Sequence, residues 1–245
     1  MERIKSEVMK IALLGYGKMG KTIEEIALQK GHTICLTIDL HNLSDLTKDN
    51  LQKADVAIEF TTPENAMNNI LQCFDAGLPV VSGTTGWLNN FDKVKEICLE
   101  ENGSFLYASN FSIGVNIFFE LNKKLAVLMS KQDYNIIIEE THHTQKKDAP
   151  SGTAITIAEQ ILKQSSHKKQ WVNHNSQKDE ELSIISKRID PAAGTHAVKY
   201  SSDVDDIEII HTAHNRKGFA SGAVLAAEFL KDKKGIFSMK DVLGL

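Results

Sequence analysis

The sequence predicts an α/β protein in two parts: a parallel sheet covered by helices, and a second α+β unit with a mixed sheet. Two observations carry this. From Lys10 to Asp148 short apolar runs alternate with amphipathic segments, the pattern of strands joined by crossover helices. After Gln164, strand-like runs follow one another with no helical pattern between them.

Taken in order, Ile11 to Leu14 (IALL) reads as a first strand, and Met19, Ile23, Ile26 and Ala27 follow helical spacing up to Gly31, where a helix stops. Thr33 to Asp39 (TICLTID) reads as a second strand that ends in an acid. Asp55 to Ala66 holds a third strand, a Thr61-Thr62-Pro63 turn and the start of a helix that runs through Asn69 and Cys73. Leu78 to Gly86 and the run SFLYASNFSIGVN add a fourth and a fifth strand, each with a small polar loop at its carboxyl end. In an open parallel sheet that edge is where ligands bind.

Beyond Ser112 the pattern changes. A long apolar helix is expected from Ile113 to Met129, then the strand YNIIIEETHH, then an amphipathic helix in GTAITIAEQILKQ. Gln164 to Glu181 is polar and reads as an exposed loop. ELSIISKRID, HAVKYSS and DDIEIIHTAH read as strands, and FASGAVLAAEFL, apolar on nearly all faces, as a buried helix that returns to the first part.

With 245 residues and 42% hydrophobic content the chain can bury a full core. A formal net charge of -4 gives no general attraction to nucleic acid or to an anionic membrane. The expected partner is a small molecule. Cys35, Cys73 and Cys98 are widely spaced, form no CxxC pair and read as core positions, which suits a reducing compartment. No signal-type apolar run precedes Gly15, so the expected location is cytoplasmic.

Gly15-Tyr16-Gly17-Lys18-Met19-Gly20 is a GxGxxG placed after a strand and before a helix, the context of a dinucleotide fingerprint in a Rossmann-type domain. Gly15 allows the tight turn, Gly17 lets backbone approach a pyrophosphate, and Gly20 permits close packing. Asp39 can accept both ribose hydroxyls. No arginine follows it, which favours NADH over NADPH. Thr61 and the Gly83-Thr84-Thr85-Gly86 turn offer donors where the nicotinamide half would lie.

The second constellation is EETHHTQKKDAPSGTA, Glu139 to Ala154. Ser151, Gly152 and Thr153 open a helix, where backbone N–H groups suit a carboxylate. Either Asp148 or Ser151 can cap it. His142, His143 and Lys146 supply protonatable groups beside it. In an extended strand the two histidines project from opposite faces and cannot grip one ion, and no metal motif is present, so no metal is expected.

The run from His142 to Ala154 resembles the HHxxKxDAPSGTA signature of the dihydrodipicolinate (4-hydroxy-tetrahydrodipicolinate) reductases. GYGKMG, GTTG at Gly83 to Gly86, ASNFSIGVN at Ala108 to Asn116 and HNRKGFASGA at His214 to Ala223 also match, in the family's order and over nearly the whole chain. The resemblance implies a Rossmann-type domain of residues 1–110 and 217–245, and a substrate-binding and oligomerisation domain of residues 111–216 that builds a homotetramer. It implies reduction of 4-hydroxy-tetrahydrodipicolinate, a small dicarboxylate, by NADH or NADPH with loss of water. His142 would be the proton donor and acceptor and Lys146 a proton donor. His143, Gly152 and Thr153 would hold substrate. Gly15 to Met19, Asp39, Gly83, Thr84, Thr85, Ala108, Ser109, Asn110 and Phe111 would line the cofactor site. Leu40 stands where many members carry an arginine. Two other readings fit the glycine loop alone: another Rossmann-fold dehydrogenase of a small carboxylate, and a non-catalytic NAD-binding protein.

Overall fold

The computed structural model describes residues 7–245, which divide into two compact units: the described residues up to Ile113 with Lys217–Leu245, and Gly114–Arg216. In chain order the first unit contains β1 (Lys10–Leu14), α1 (Lys18–Gln29), β2 (Thr33–Ile38), α2 (Lys48–Leu51), β3 (Val56–Glu59), α3 (Pro63–Asp75), β4 (Val80–Ser82), α4 (Phe91–Glu100) and β5 (Ser104–Tyr107). The second follows with α5 (Ile113–Met129), β6 (Asn135–His142), α6 (Gly152–Leu162), β7 (Gln170–Val172), β8 (Glu181–Arg188), β9 (Gly194–Ser201) and β10 (Asp206–Ala213). The chain then re-enters the first unit with α7 (Lys217–Leu230), β11 (Gly235–Phe237) and α8 (Met239–Leu243).

The first sheet is parallel throughout, in the order β11-β5-β4-β3-β1-β2. Residues alternate between two cores. Ile11, Leu13, Ile58 and Val81 face α1, α7 and α8, whereas Ala12, Leu14, Ala57 and Val80 face α3 and α4. Every residue of β3 is buried, as a central parallel strand requires. Strand order reverses between β1 and β3, so the crevice at their carboxyl ends is the topological switch point.

The second sheet runs β10-β9-β6-β8-β7, with β9 antiparallel to both its neighbours and β6, β8 and β7 mutually parallel. It is a mixed sheet. Ile138, Ile184, Val198 and Tyr200 bury one face against Phe118 and Ala126 of α5 and Ile157, Ala158 and Ile161 of α6. Among the described residues no helix is long and apolar enough to cross a membrane.

Two readings of the sequence are corrected, and one strand is added to them. Gln164 to Glu181 is not all loop, because Gln170–Val172 pair with Glu181–Ser183 and extend the sheet. Gly235–Phe237 add a sixth strand to the first sheet, from a run too short to stand out as periodic. Cys35 is exposed, not core: it lies on β2, the edge strand, while Cys73 and Cys98 are buried.

Candidate active site

In the first unit, β1 delivers the chain to Gly15, whose φ of +97° and lack of a side chain are both required: a Cβ there would lie 2.0 Å from the Phe60 carbonyl oxygen. A Cβ on Gly20 would lie 2.2 Å from the Gly15 carbonyl oxygen, so this glycine sets how closely α1 approaches the turn. Gly17 differs from both. It is the N-cap of α1, no side chain caps the helix there, and a Cβ would meet nothing within 4 Å. The helix N-terminus therefore offers unspent N–H groups and a partial positive charge to open space, which fits a pyrophosphate.

A cavity of about 540 Å³ lies at this switch point. Gly15, Tyr16, Gly17, Asp39 and Thr61 are the sequence-predicted residues that line it, and no lysine or arginine does. Leu43 and Leu46 supply apolar wall, and Asn65, Asn68, Asn69 and Gln72 present amides from α3. Asp39 Oδ1 accepts a hydrogen bond from the His41 amide at 2.7 Å. Volume, apolar wall and carboxylate fit a nucleoside with free ribose hydroxyls.

Thr61 and Thr84 are fixed by a residue that the sequence reading overlooked. Glu59, fully buried at the end of β3, accepts hydrogen bonds from the Thr61 amide (2.9 Å), Thr84 Oγ1 (2.7 Å) and Ser82 Oγ (2.6 Å). Of the remaining predicted residues, Lys18, Thr85 and Ser109 are exposed, and Gly83 and Ala108 are half-buried. Asn110 Oδ1 accepts from the Ser112 amide at 2.9 Å. Met19 packs against the core, and Phe111 is buried within it, with its ring 5.6 Å from that of Phe60. Phe111 is a packing residue and not a lining one.

In the second unit, strand register builds the other cluster. Ile138, Glu140 and His142 alternate onto the buried face of β6. Across the ladders His196 of β9 is the partner of Glu140, and Arg188 of β8 that of His142. The apolar core around Ile138 thus gives way to four polar side chains at the end of three strands. Glu140 Oε1 accepts from Arg188 Nη2 and from the Ser151 amide, each at 3.1 Å. Its Oε2 lies 3.3 Å from His142 Nδ1 and 3.8 Å from His196 Nε2, neither contact being aligned as a hydrogen bond. The two imidazole rings meet edge to face at 5.1 Å.

Burial would push the Glu140 carboxyl up, but the hydrogen-bonding groups of His142, Ser151, Ser186 and Arg188 together hold it well below the usual carboxylate range. Burial and the neighbouring His142 push His196 down to about 3, so it is a neutral imidazole at neutral pH.

Ser151 is the N-cap of α6, its Oγ accepting from the Ala154 amide at 3.2 Å. Its own amide is turned inward to Glu140, so the helix start presents Gly152, exposed, and Thr153, half-buried, at its outer side. Lys146, half-buried, is paired with an acid. Its Nζ donates to both oxygens of Asp148 at 2.8 Å, and although partial burial alone would raise the Asp148 carboxyl, the ammonium beside it lowers it. His143 is half-buried, next to the loop that Thr144 ties to Asp190.

His142, Lys146, Ser151, Gly152 and Thr153 therefore belong to one neighbourhood, and Glu140, Arg188 and His196 complete it. Glu140 and Arg188 carried no linear motif, and His196 stands in a run, Ala193 to His196, that matches the family only loosely. The one available signal was period two in β6, which puts a glutamate on the same face as Ile138. Glu140, His142 and His196 also bring donor atoms within 4.8 Å of one another, a set a divalent cation could use. Ser151 Oγ lies 3.2 Å from His196 Nε2 and Arg188 takes the other Glu140 oxygen, whereas Glu140 Oε2 and His142 Nδ1 form no hydrogen bond.

Comparison with known proteins covers both units. Residues 9–111 match the family model described as dihydrodipicolinate reductase, N-terminus, and residues 114–243 that described as dihydrodipicolinate reductase, C-terminus. The chain is 55% identical over 240 residues to the 4-hydroxy-tetrahydrodipicolinate reductase of Christiangramia forsetii, covering 96% of this chain and 98% of that one. It is 36% identical over 246 residues to the same-named enzyme of Methanosarcina acetivorans, covering 98% and 91%. A dipicolinate-bound dihydrodipicolinate reductase from Paenisporosarcina sp. TG-14 shares the fold, with a TM-score of 0.75 at 23% identity over 95% of this chain and 98% of that one.

Proposed function

The chain belongs to the dihydrodipicolinate reductase family, and from that premise we infer that it reduces 4-hydroxy-tetrahydrodipicolinate to tetrahydrodipicolinate, with loss of water, using NADH as the preferred donor. The reaction serves lysine synthesis by way of diaminopimelate. The observation that supports it best is the second unit's cluster, where His142, Lys146 and the start of α6 stand together around a dianion-sized need for protons and N–H donors.

When bound, the reduced nicotinamide supplies the hydride. The chain's own residues do the rest. The uncapped N-terminus of α1 at Gly17 holds the pyrophosphate and Asp39 the ribose hydroxyls. Asp39, with no lysine or arginine in the cavity lining, supports NADH, because a 2'-phosphate would meet a carboxylate and no permanent counter-charge.

On the substrate side, Gly152 and Thr153 at the α6 start, with His143, hold the ring carboxylates. His142 and Lys146 deliver the proton that must accompany the hydride, a role that contributes ~10²–10⁴-fold in rate. His196, held neutral by burial, serves as a hydrogen-bonding neighbour and not as the acid.

Three unpaired cysteines support a cytoplasmic setting. A homotetramer is the assembly this reading carries, supported by Ile207 and Ile210, apolar and exposed on edge strand β10. Light scattering that gives the mass of one subunit would remove it.

The deciding test is a coupled assay. A synthase makes the substrate from pyruvate and aspartate semialdehyde while nicotinamide absorbance is followed, with NADH and NADPH in turn. Oxidation of either cofactor that depends on the synthase is the expected result, faster with NADH. No oxidation of either would refute the activity, and faster oxidation of NADPH the preference.

A further inference from the structure

A buried carboxylate keeps its charge only where cations and hydrogen-bond donors surround it, and such an arrangement is not favoured over a well-packed apolar one for stability alone. Glu140 is fully buried, two residues beyond Ile138, where the apolar core of this sheet face ends. Its position calls for a use.

The contacts show what it joins. Through Oε1 it holds the Ser151 amide, and Ser151 is the residue that starts α6. The same oxygen holds Arg188, whose guanidinium also donates to the carbonyl oxygens of Lys146 (3.3 Å) and Asp148 (2.5 Å), the loop that carries the Lys146 ammonium. Through Oε2 it faces His142 Nδ1. One carboxylate thus faces the histidine and is tied to the lysine loop and to the helix start, at positions 2, 6 and 11 residues after it in sequence.

We propose that Glu140 is a positioning residue for the reaction, with Arg188 as its strut, setting the relative placement of His142, Lys146 and the Gly152–Thr153 helix start. This rests on the reading of His142 and Lys146 as the proton-delivering pair. A carboxylate at Nδ1 fixes the orientation of the ring and directs its other nitrogen to the ligand side. The space beside that nitrogen is kept open by Gly194, where a Cβ would come within 3.1 Å of His142 Nε2. The 3.3 Å contact to Nδ1 is loose, and such contacts tighten once a ligand is in place.

Glu140→Gln keeps the shape and removes the charge. In the full-length enzyme kcat is expected to fall by about 10- to 100-fold and the Kd for pyridine-2,6-dicarboxylate to rise several-fold, while the Kd for NADH stays within about two-fold. A role in folding alone would lower the melting temperature and leave kcat per folded molecule unchanged, and that result would overturn the proposal. Should the Gln variant fail to fold, Arg188→Lys keeps the cation and loses the fork that reaches both loop carbonyls. The same fall in kcat supports the strut, and wild-type kcat overturns it. Wild-type turnover in the parallel assay separates the two levels: no turnover there sinks the functional reading, whereas turnover matched by the variants sinks only the role of Glu140.

Discussion

Lys146 Nζ donates to both carboxylate oxygens of Asp148, at 2.8 Å each. The lysine side chain is 24% exposed and the aspartate 58%, so the pair adds only ~0–1 kcal/mol to stability. Its value is in where it parks the ammonium. Lys146→Ala and His142→Gln are each expected to lower kcat by ~10²–10⁴-fold and to leave NADH binding intact. Asp148→Asn, which retains the ammonium, should lower kcat by less and barely move the melting temperature. Stopped-flow turnover with fluorescence titration of NADH checks all three, and unchanged turnover in both Lys146 and His142 variants would remove their roles.

Asp39 lines the cavity at the switch point, and no lysine or arginine lines it. Replacing it by alanine takes away an acceptor for the ribose and a repulsive charge for a 2'-phosphate. The ratio of kcat/KM for NADPH to that for NADH is expected to rise roughly ten-fold, which corresponds to about 1.4 kcal/mol. A ratio that does not change would show that selection lies elsewhere.

How much of this was legible in the sequence follows from distance along the chain. The Gly15 to Gly20 turn and the His142 to Ala154 run are local, so residue type and order alone displayed them. The mixed second sheet was legible from strands without helices between them. Glu140, Arg188 and His196 come from three strands, and only ladder register brings them to one point. Nothing in ELSIISKRID marks Arg188 as a partner of a glutamate 48 residues earlier. Glu59 was hidden for a similar reason, since a buried acid at a strand end looks like the start of a loop until the hydroxyls of Ser82 and Thr84 arrive from the next strand. Cys35 was misplaced because edge and central strands share the same alternating text.

Two glycines that look alike in sequence should behave oppositely. A Cβ on Gly222 would lie 1.7 Å from the Phe111 carbonyl oxygen, backbone against backbone, so neither side can yield by a rotamer change. Gly222→Ala is expected to cost ~1–3 kcal/mol or more, seen as a melting temperature several degrees lower. Gly17→Ala meets nothing within 4 Å and should melt like the wild type. Its methyl group points into the space where a pyrophosphate would sit, so the Kd for NADH should rise at least about ten-fold. Scanning calorimetry and NADH titration on the pair separate packing from binding, and a Gly17→Ala variant with wild-type affinity would contradict the placement of the phosphates.

His196 gives the enzyme an acid-side stability slope of predictable sign. Its ordinary value is 6.5 and burial, with His142 next, pushes it down to about 3 in the folded chain. Between those two values the unfolded chain binds a proton at this residue and the folded chain does not, so stability is full above pH 6.5 and falls as pH drops toward 3. Each pH unit in that window removes ~1.4 kcal/mol. Glu140 acts in the same direction at lower pH, because its depressed carboxyl stabilises the fold above its ordinary 4.5 and that contribution is lost as pH falls through the folded value. Urea midpoints at pH 7 and pH 5 should therefore differ by roughly 2 kcal/mol more in the wild type than in His196→Gln, which has no proton to refuse. Equal pH dependence in the two proteins would mean that His196 takes up its proton in the folded state, and that the Glu140 carboxylate, not burial, governs it.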